Sequence, residues 1–146
     1  MKESVGKITS LFISQKNIKK RVTKNTLQLD SLGIKSDKYY NTNTKRSVLI
    51  TSLSSYTLAQ NHDITLPWGS LGENLLMEYN PYHLPQGSIL EIGSVKLEIS
   101  QNCTICEHLT DIDERLPILL QTDRGIFAKV VVEGTIRKGD NIYLLS

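Results

Sequence analysis

A chain of 146 residues that is 39% hydrophobic, with a net charge of +2, buries roughly two thirds of its unfolded surface as a single domain, so neither disulfides nor a structural metal is needed to hold it together. The opening MKESVGKITS has no apolar run of signal-peptide length, and no stretch reaches the about 18 apolar residues of a membrane helix; no membrane partner is expected, and the cytoplasm, where structural disulfides are disfavoured, is the expected location. The cationic residues are spread along the chain except for Lys19, Lys20, Arg21 and Lys24, which read as a solvated loop, and without a basic-aromatic platform no nucleic-acid partner is expected.

In chain order, Val5, Ile8, Leu11 and Ile13 mark an opening strand with imperfect alternation. Residues 32–49, LGIKSDKYYNTNTKRSVL, form a polar loop that enters a strand, and RSVLIT, 46–51, reads as a buried strand because three apolar residues run together between polar ends. Ser54 or Ser55 is expected to cap a short helix over 56–60, and 71–77 to form one or two helical turns. SILEIGS and the alternation of Val95, Leu97 and Ile99 make a hairpin that turns at Gly93-Ser94. Asp111 with Glu114 resembles a weak capping box, and Pro117 limits the segment after it. Ile126, Ala128, Val130 and Val132 open a second hairpin-like unit that passes through RKGD to Ile142–Leu145. The expected fold is one mostly β domain over 1–146, a distorted antiparallel β-barrel with a few short helices.

Three polar stretches require a chemical explanation. In the 32–49 loop, Asp37 and Arg46 lie where a rigid element presents a loop, and a guanidinium at a strand start suits a phosphate or carboxylate, or else pairs with Asp37 to fasten the loop. In LPWGSLGENLLM, Gly69 and Gly72 free the backbone while Glu73 and Asn74 offer an acceptor and an amide. The competing reading is a turn whose Trp68 covers a core edge and whose Glu73 caps something local. The stretch lacks the lysine and hydroxyl residue of a nucleotide phosphate loop. NCTICEHL holds both cysteines, Cys103 and Cys106. A zinc site would need His62, His83 or His108 to converge, and a redox pair would need to open a helix beside a parallel sheet. A sulfur-carrying thiolate would need a nearby cation, and two inert buried thiols are the default.

Taken together, LGIKSDKYYNTNTKRSVLI, SLGENLL, LEISQNCTICEHL and RGIFAKVVVEGTIRKGDNIYLL resemble the blocks of the MOSC domain, found at the C-terminus of molybdenum cofactor sulfurases and as small stand-alone proteins. The resemblance spans 5–145 and implies a mostly β barrel associated with molybdopterin-type molybdenum cofactors or with sulfur transfer. It places Cys106 at the family's sulfur-bearing cysteine, and Asp37, Arg46, Gly72, Glu73 and Asn74 at a cofactor pocket. Three positions depart from the pattern: Ser36 stands where glycine is usual, Tyr39 where histidine is common, and Cys103 where arginine is common. No lysine motif for pyridoxal phosphate chemistry is present, so the implied role is pyridoxal phosphate-independent: accepting, relaying or delivering sulfur made elsewhere, with a sulfur donor or a molybdoenzyme as partner. The alternative is a noncatalytic interaction or regulatory domain that keeps the barrel without efficient ligand chemistry.

Overall fold

A computed structural model describes residues 1–18, 20–104 and 107–146, with Glu107 and His108 described as backbone only. Cys106, the expected sulfur carrier, therefore lies outside the described residues. Among the described residues, eleven strands and three α-helices follow in the order β1 (Lys2–Ile13), β2 (Val22–Lys24), β3 (Thr26–Asp30), β4 (Gly33–Ile34), β5 (Val48–Ser52), α1 (Leu53–Gln60), β6 (Leu75–Met77), β7 (Ile89–Ile92), β8 (Val95–Asn102), α2 (Glu107–Ile112), α3 (Leu116–Leu119), β9 (Ile126–Val132), β10 (Gly134–Arg137) and β11 (Asn141–Leu145). A 3-10 turn, Thr44–Arg46, leads into β5.

Seven of these strands close a ring, β1-β6-β5-β9-β8-β7-β11 and back to β1, with β2 appended to β1; β10, β3 and β4 form a separate small sheet. Closure depends on β1. Its start pairs with β11, its middle with β6 and its end with β2, and the register shifts between Ser4 and Gly6 and between Ile8 and Ser10. Such bulges bend a strand and increase its twist, which is why the alternation in β1 is imperfect. Ile8, Leu11 and Ile13 still enter the barrel interior, while Phe12 faces the cluster outside it.

The 71–77 segment is not helical. Gly72 holds a φ of +85°, which side-chain-bearing residues rarely adopt, and the three residues Leu75–Met77 then run as β6 between β1 and β5. Leu75 and Met77 point into the barrel and Leu76 into the outer cluster, all fully buried. Burying each such side chain contributes on the order of 1.5–3 kcal/mol. The β5–β6 pair is parallel, so the barrel is mixed where an antiparallel one was expected; α1 and the loop after it supply the crossover that a parallel pair needs.

The helices pack outside the barrel around Phe12, Tyr56, Leu71, Leu76, Leu109 and Leu116. α1 starts earlier than expected because Ser52, not Ser54 or Ser55, caps it: its hydroxyl accepts from Ser54 N at 3.1 Å. Asp111 lies inside α2 rather than at a cap, and Pro117 occupies the first turn of α3, where its missing N–H costs nothing. The β7–β8 hairpin turns at Gly93-Ser94 as expected. The closing strands do not pair with one another. β9 pairs with β5 and β8, β11 with β1 and β7, and β10 leaves for β3. Among the described residues no helix is long and apolar enough to cross a membrane.

Candidate functional site

A cavity of about 330 Å³ opens where the 33–46 loop, the turn before β6, the end of β8 and the turn before β9 meet. Asp37, Arg46, Gly72 and Asn74 line it, together with Cys103, Arg21 and Arg124. Four of the five cofactor-pocket residues expected from sequence thus share one wall system. Glu73 is fully buried but does not line the cavity.

Asp37 and Asn74 build the cavity floor by satisfying backbone groups. The buried Asp37 carboxylate accepts from Ser14 N at 2.7 Å and Tyr39 N at 3.0 Å, which ties the loop to the end of β1. The Asn74 amide joins two strands and the loop: its Oδ1 accepts from Leu49 N at 3.0 Å, and its Nδ2 donates to Phe12 O at 3.2 Å and Asp37 Oδ1 at 3.4 Å. These bonds account for its amide within the protein, so Asn74 acts as a clamp.

Glu73 belongs to the layer behind. Tyr56 Oη donates to its Oε2 at 2.5 Å and itself accepts from Gly69 N at 3.0 Å. Burial, then the charge and hydrogen bond of Glu73, raise the Tyr56 pKa far above the usual phenol value, so this hydroxyl remains a donor. Glu73 Oε1 has no hydrogen-bond partner among the described residues.

The cations are the chemistry of the cavity. Arg46, delivered by the 3-10 turn whose start Asn43 caps by accepting from Lys45 N at 3.2 Å, lays its guanidinium 4.8 Å from the centre of the Phe127 ring. It does not fasten the loop to Asp37. That carboxylate is instead 3.9 Å from Arg21 Nη1, an ion pair too long for a hydrogen bond, and Nη1 has no hydrogen-bond partner among the described residues. Burial lowers the Arg21 pKa, Asp37 and Glu73 oppose that shift, and Arg124 adds to it. An arginine nonetheless stays charged at neutral pH. Arg124 is 3% exposed and sits just before Gly125 and β9.

The cavity wall carries three guanidinia and the Asp37 carboxylate on a concave surface whose apolar parts include Leu49 and Phe127. Such a surface suits an oxyanion of more than one charge attached to a planar apolar body. Cys103, 4% exposed, packs with Leu49 and Phe127 and places a thiol on the cavity wall. Sequence reasoning missed two of the cations. Arg21 read as part of a solvated lysine-rich loop, although it is the only arginine there, and Arg124 sat unmarked in a polar turn.

A family model described as the MOSC domain matches residues 37–143. Among solved structures, YuaD from Bacillus subtilis aligns over 99% of this chain and 97% of its own, with TM-score 0.79 and 19% identity. YiiM from Escherichia coli aligns over 96% of this chain and 70% of its own (TM-score 0.68, 19% identity), and YiiM from Geobacillus stearothermophilus over 100% and 76% (TM-score 0.71, 16% identity). No match was found among curated proteins. At these identities the structural neighbours show the fold, a barrel shared over nearly the whole chain. With the family match covering most of its length, the chain belongs to the MOSC domain family, whose context is the molybdenum cofactor.

Proposed function

We propose that this domain binds a molybdopterin-type molybdenum cofactor, or a phosphorylated pterin related to it, in the arginine-lined cavity, and relays sulfur through Cys106. One observation carries the reading: three of the chain's five arginines, Arg21, Arg46 and Arg124, converge on a single cavity. The residues present suit such a group. Arg21 Nη1, buried and without a hydrogen-bond partner among the described residues, is 3.9 Å from Asp37 and retains donor capacity for an oxyanion, and Phe127 with Leu49 offers apolar surface for a ring. When bound, the group supplies a redox-active metal and its dithiolene ligands.

The chain's own residues divide the work. Arg21, Arg46 and Arg124 hold the anionic end, while Asp37 orients Arg21 and Asn74 orients Asp37. Cys106 acts as nucleophile toward a persulfide donor: its thiolate attacks the outer sulfur, the donor's S–S bond breaks, the donor leaves as thiolate, and Cys106 carries the persulfide. Delivery to an acceptor thiolate is the same exchange in reverse.

The test is calorimetric titration with a phosphorylated pterin and with its dephosphorylated counterpart. A charge-assisted hydrogen bond contributes about 1.5–3 kcal/mol, so Arg21→Gln and Arg46→Gln should each weaken binding of the phosphorylated ligand roughly 10- to 100-fold. The dephosphorylated ligand should bind weakly and respond little to either change. Equal binding of both ligands, indifferent to the arginines, would remove the proposal.

A further inference from the structure

Nine of the chain's 17 lysines and arginines, but two of its 15 carboxylates, lie between residues 15 and 46. The rest of the chain inverts this balance, with eight cations against thirteen carboxylates. Neither carboxylate in the segment is free to neutralise it. Asp37 is buried and committed to Ser14 N and Tyr39 N, and Asp30 accepts from the Tyr40 hydroxyl at 2.6 Å and from Leu32 N at 2.9 Å.

The fold gathers this segment around the cavity. Tyr39, Thr42 and Asn43 line the cavity itself, while Lys16 and Lys38 line a shallow depression that shares Asp37 with it. The Lys38 N–H donates to the Ser14 carbonyl at 2.7 Å, which joins the two stretches bearing those lysines. Lys16, Lys20, Lys35, Lys38 and Lys45 are exposed. Among them sit apolar side chains that the core does not use: Ile18 is 49% exposed, Tyr39 47% and Leu32 37%.

We infer that this lysine-rich rim is a docking surface for the acidic face of a partner protein, positioned so that the docked partner covers the cavity mouth. The inference does not depend on which anion the cavity holds. Charge complementarity steers encounter and fixes orientation, and protein interfaces combine a charged rim with a few apolar or aromatic anchors, here Tyr39 and Ile18. A nucleic acid fits this surface less well. The Lys38 ammonium lies 5.3 Å from the centre of the Tyr39 ring and occupies the position over it that a base would take, and Arg21 and Arg46, the segment's arginines, line the cavity rather than the rim.

The experiment uses the full chain and, as probe, a fluorescein-labelled peptide of glutamates interspersed with leucines, followed by anisotropy at low and at roughly physiological salt. Lys16→Glu with Lys38→Glu should weaken peptide binding about tenfold or more, equivalent to about 1.4 kcal/mol. The pair Lys7→Glu with Lys138→Glu, exposed residues outside the segment with the same change in net charge, should weaken it less than about threefold. Circular dichroism melts establish that both variants are folded. No binding by the native chain, or equal loss in both variants, overturns the inference. Tighter, rim-dependent binding of a single-stranded RNA oligonucleotide or of phosphatidylserine vesicles than of the peptide overturns it too.

Discussion

Replacing Asn74 by alanine separates a structural clamp from a ligand contact. The side chain is 4% exposed and bonds Leu49 N at 3.0 Å, Phe12 O at 3.2 Å and Asp37 Oδ1 at 3.4 Å. Alanine leaves the buried Leu49 N–H without that acceptor and removes a donor from the Phe12 carbonyl, each at about 1–3 kcal/mol. Asp37 keeps Ser14 N and is less affected. The sum is about 3 kcal/mol, which for a domain of this size lowers Tm by roughly 6–12 °C. Urea denaturation of ligand-free protein measures it, with Asn74→Asp as comparison: that change keeps the acceptor for Leu49 N but sets a second carboxylate against Asp37. Both variants should be less stable than the native chain without any ligand present. Native stability in Asn74→Ala would refute the clamp and return Asn74 to the set of ligand contacts.

Persulfide loading distinguishes the thiols: after treatment with a persulfide donor, intact mass should show one added sulfur in native protein and in Cys103→Ser, and none in Cys106→Ser; undiminished loading of Cys106→Ser would end its assignment as carrier. Burial pushes the Tyr82 pKa up to about 12 from 10.0. A raised pKa means the native state holds its proton longer, so this contribution is complete below pH 10 and is lost as pH rises through 12. An ultraviolet phenolate titration should find one tyrosine ionising about two units late, and stability should fall across that window. Gly93→Ala should destabilise by about 2–4 kcal/mol in the same urea assay, since φ is +58° and a Cβ would clash with the Thr135 carbonyl oxygen and lie 2.7 Å from Asp140 Oδ2.

Strands carried by local pattern were legible in the sequence: β5, the β7–β8 hairpin and β9 announce themselves by apolar runs or alternation. Elements decided by distant neighbours were not. Leu75–Met77 has the composition of a helix and becomes a strand because β1 and β5 flank it, and β11 leaves its sequence neighbour to close the barrel against β1. Thr26–Asp30 alternates well, with Leu27 and Leu29 buried, but its partner β10 lies over a hundred residues away and gives no local sign. At the site, the family blocks point to Asp37, Arg46, Gly72 and Asn74, which the fold brings together. Arg21 and Arg124 became visible only through topology, because whether an arginine faces water or a cavity is set by the turn that carries it. Glu73 illustrates the converse: its block brings it to the site, yet its side chain serves Tyr56 and Gly69 behind the wall.

Recognition of an anionic ligand by three arginines in one cavity can be followed by nuclear magnetic resonance of the arginine side-chain Nε–H groups during titration with a phosphorylated pterin. Arg21, Arg46 and Arg124 should shift together along a single binding curve, while Arg115, ion-paired to Asp113 at 2.8 Å, and the exposed Arg137 stay in place. Shifts at Arg115 and Arg137 with none at the three cavity arginines would contradict it.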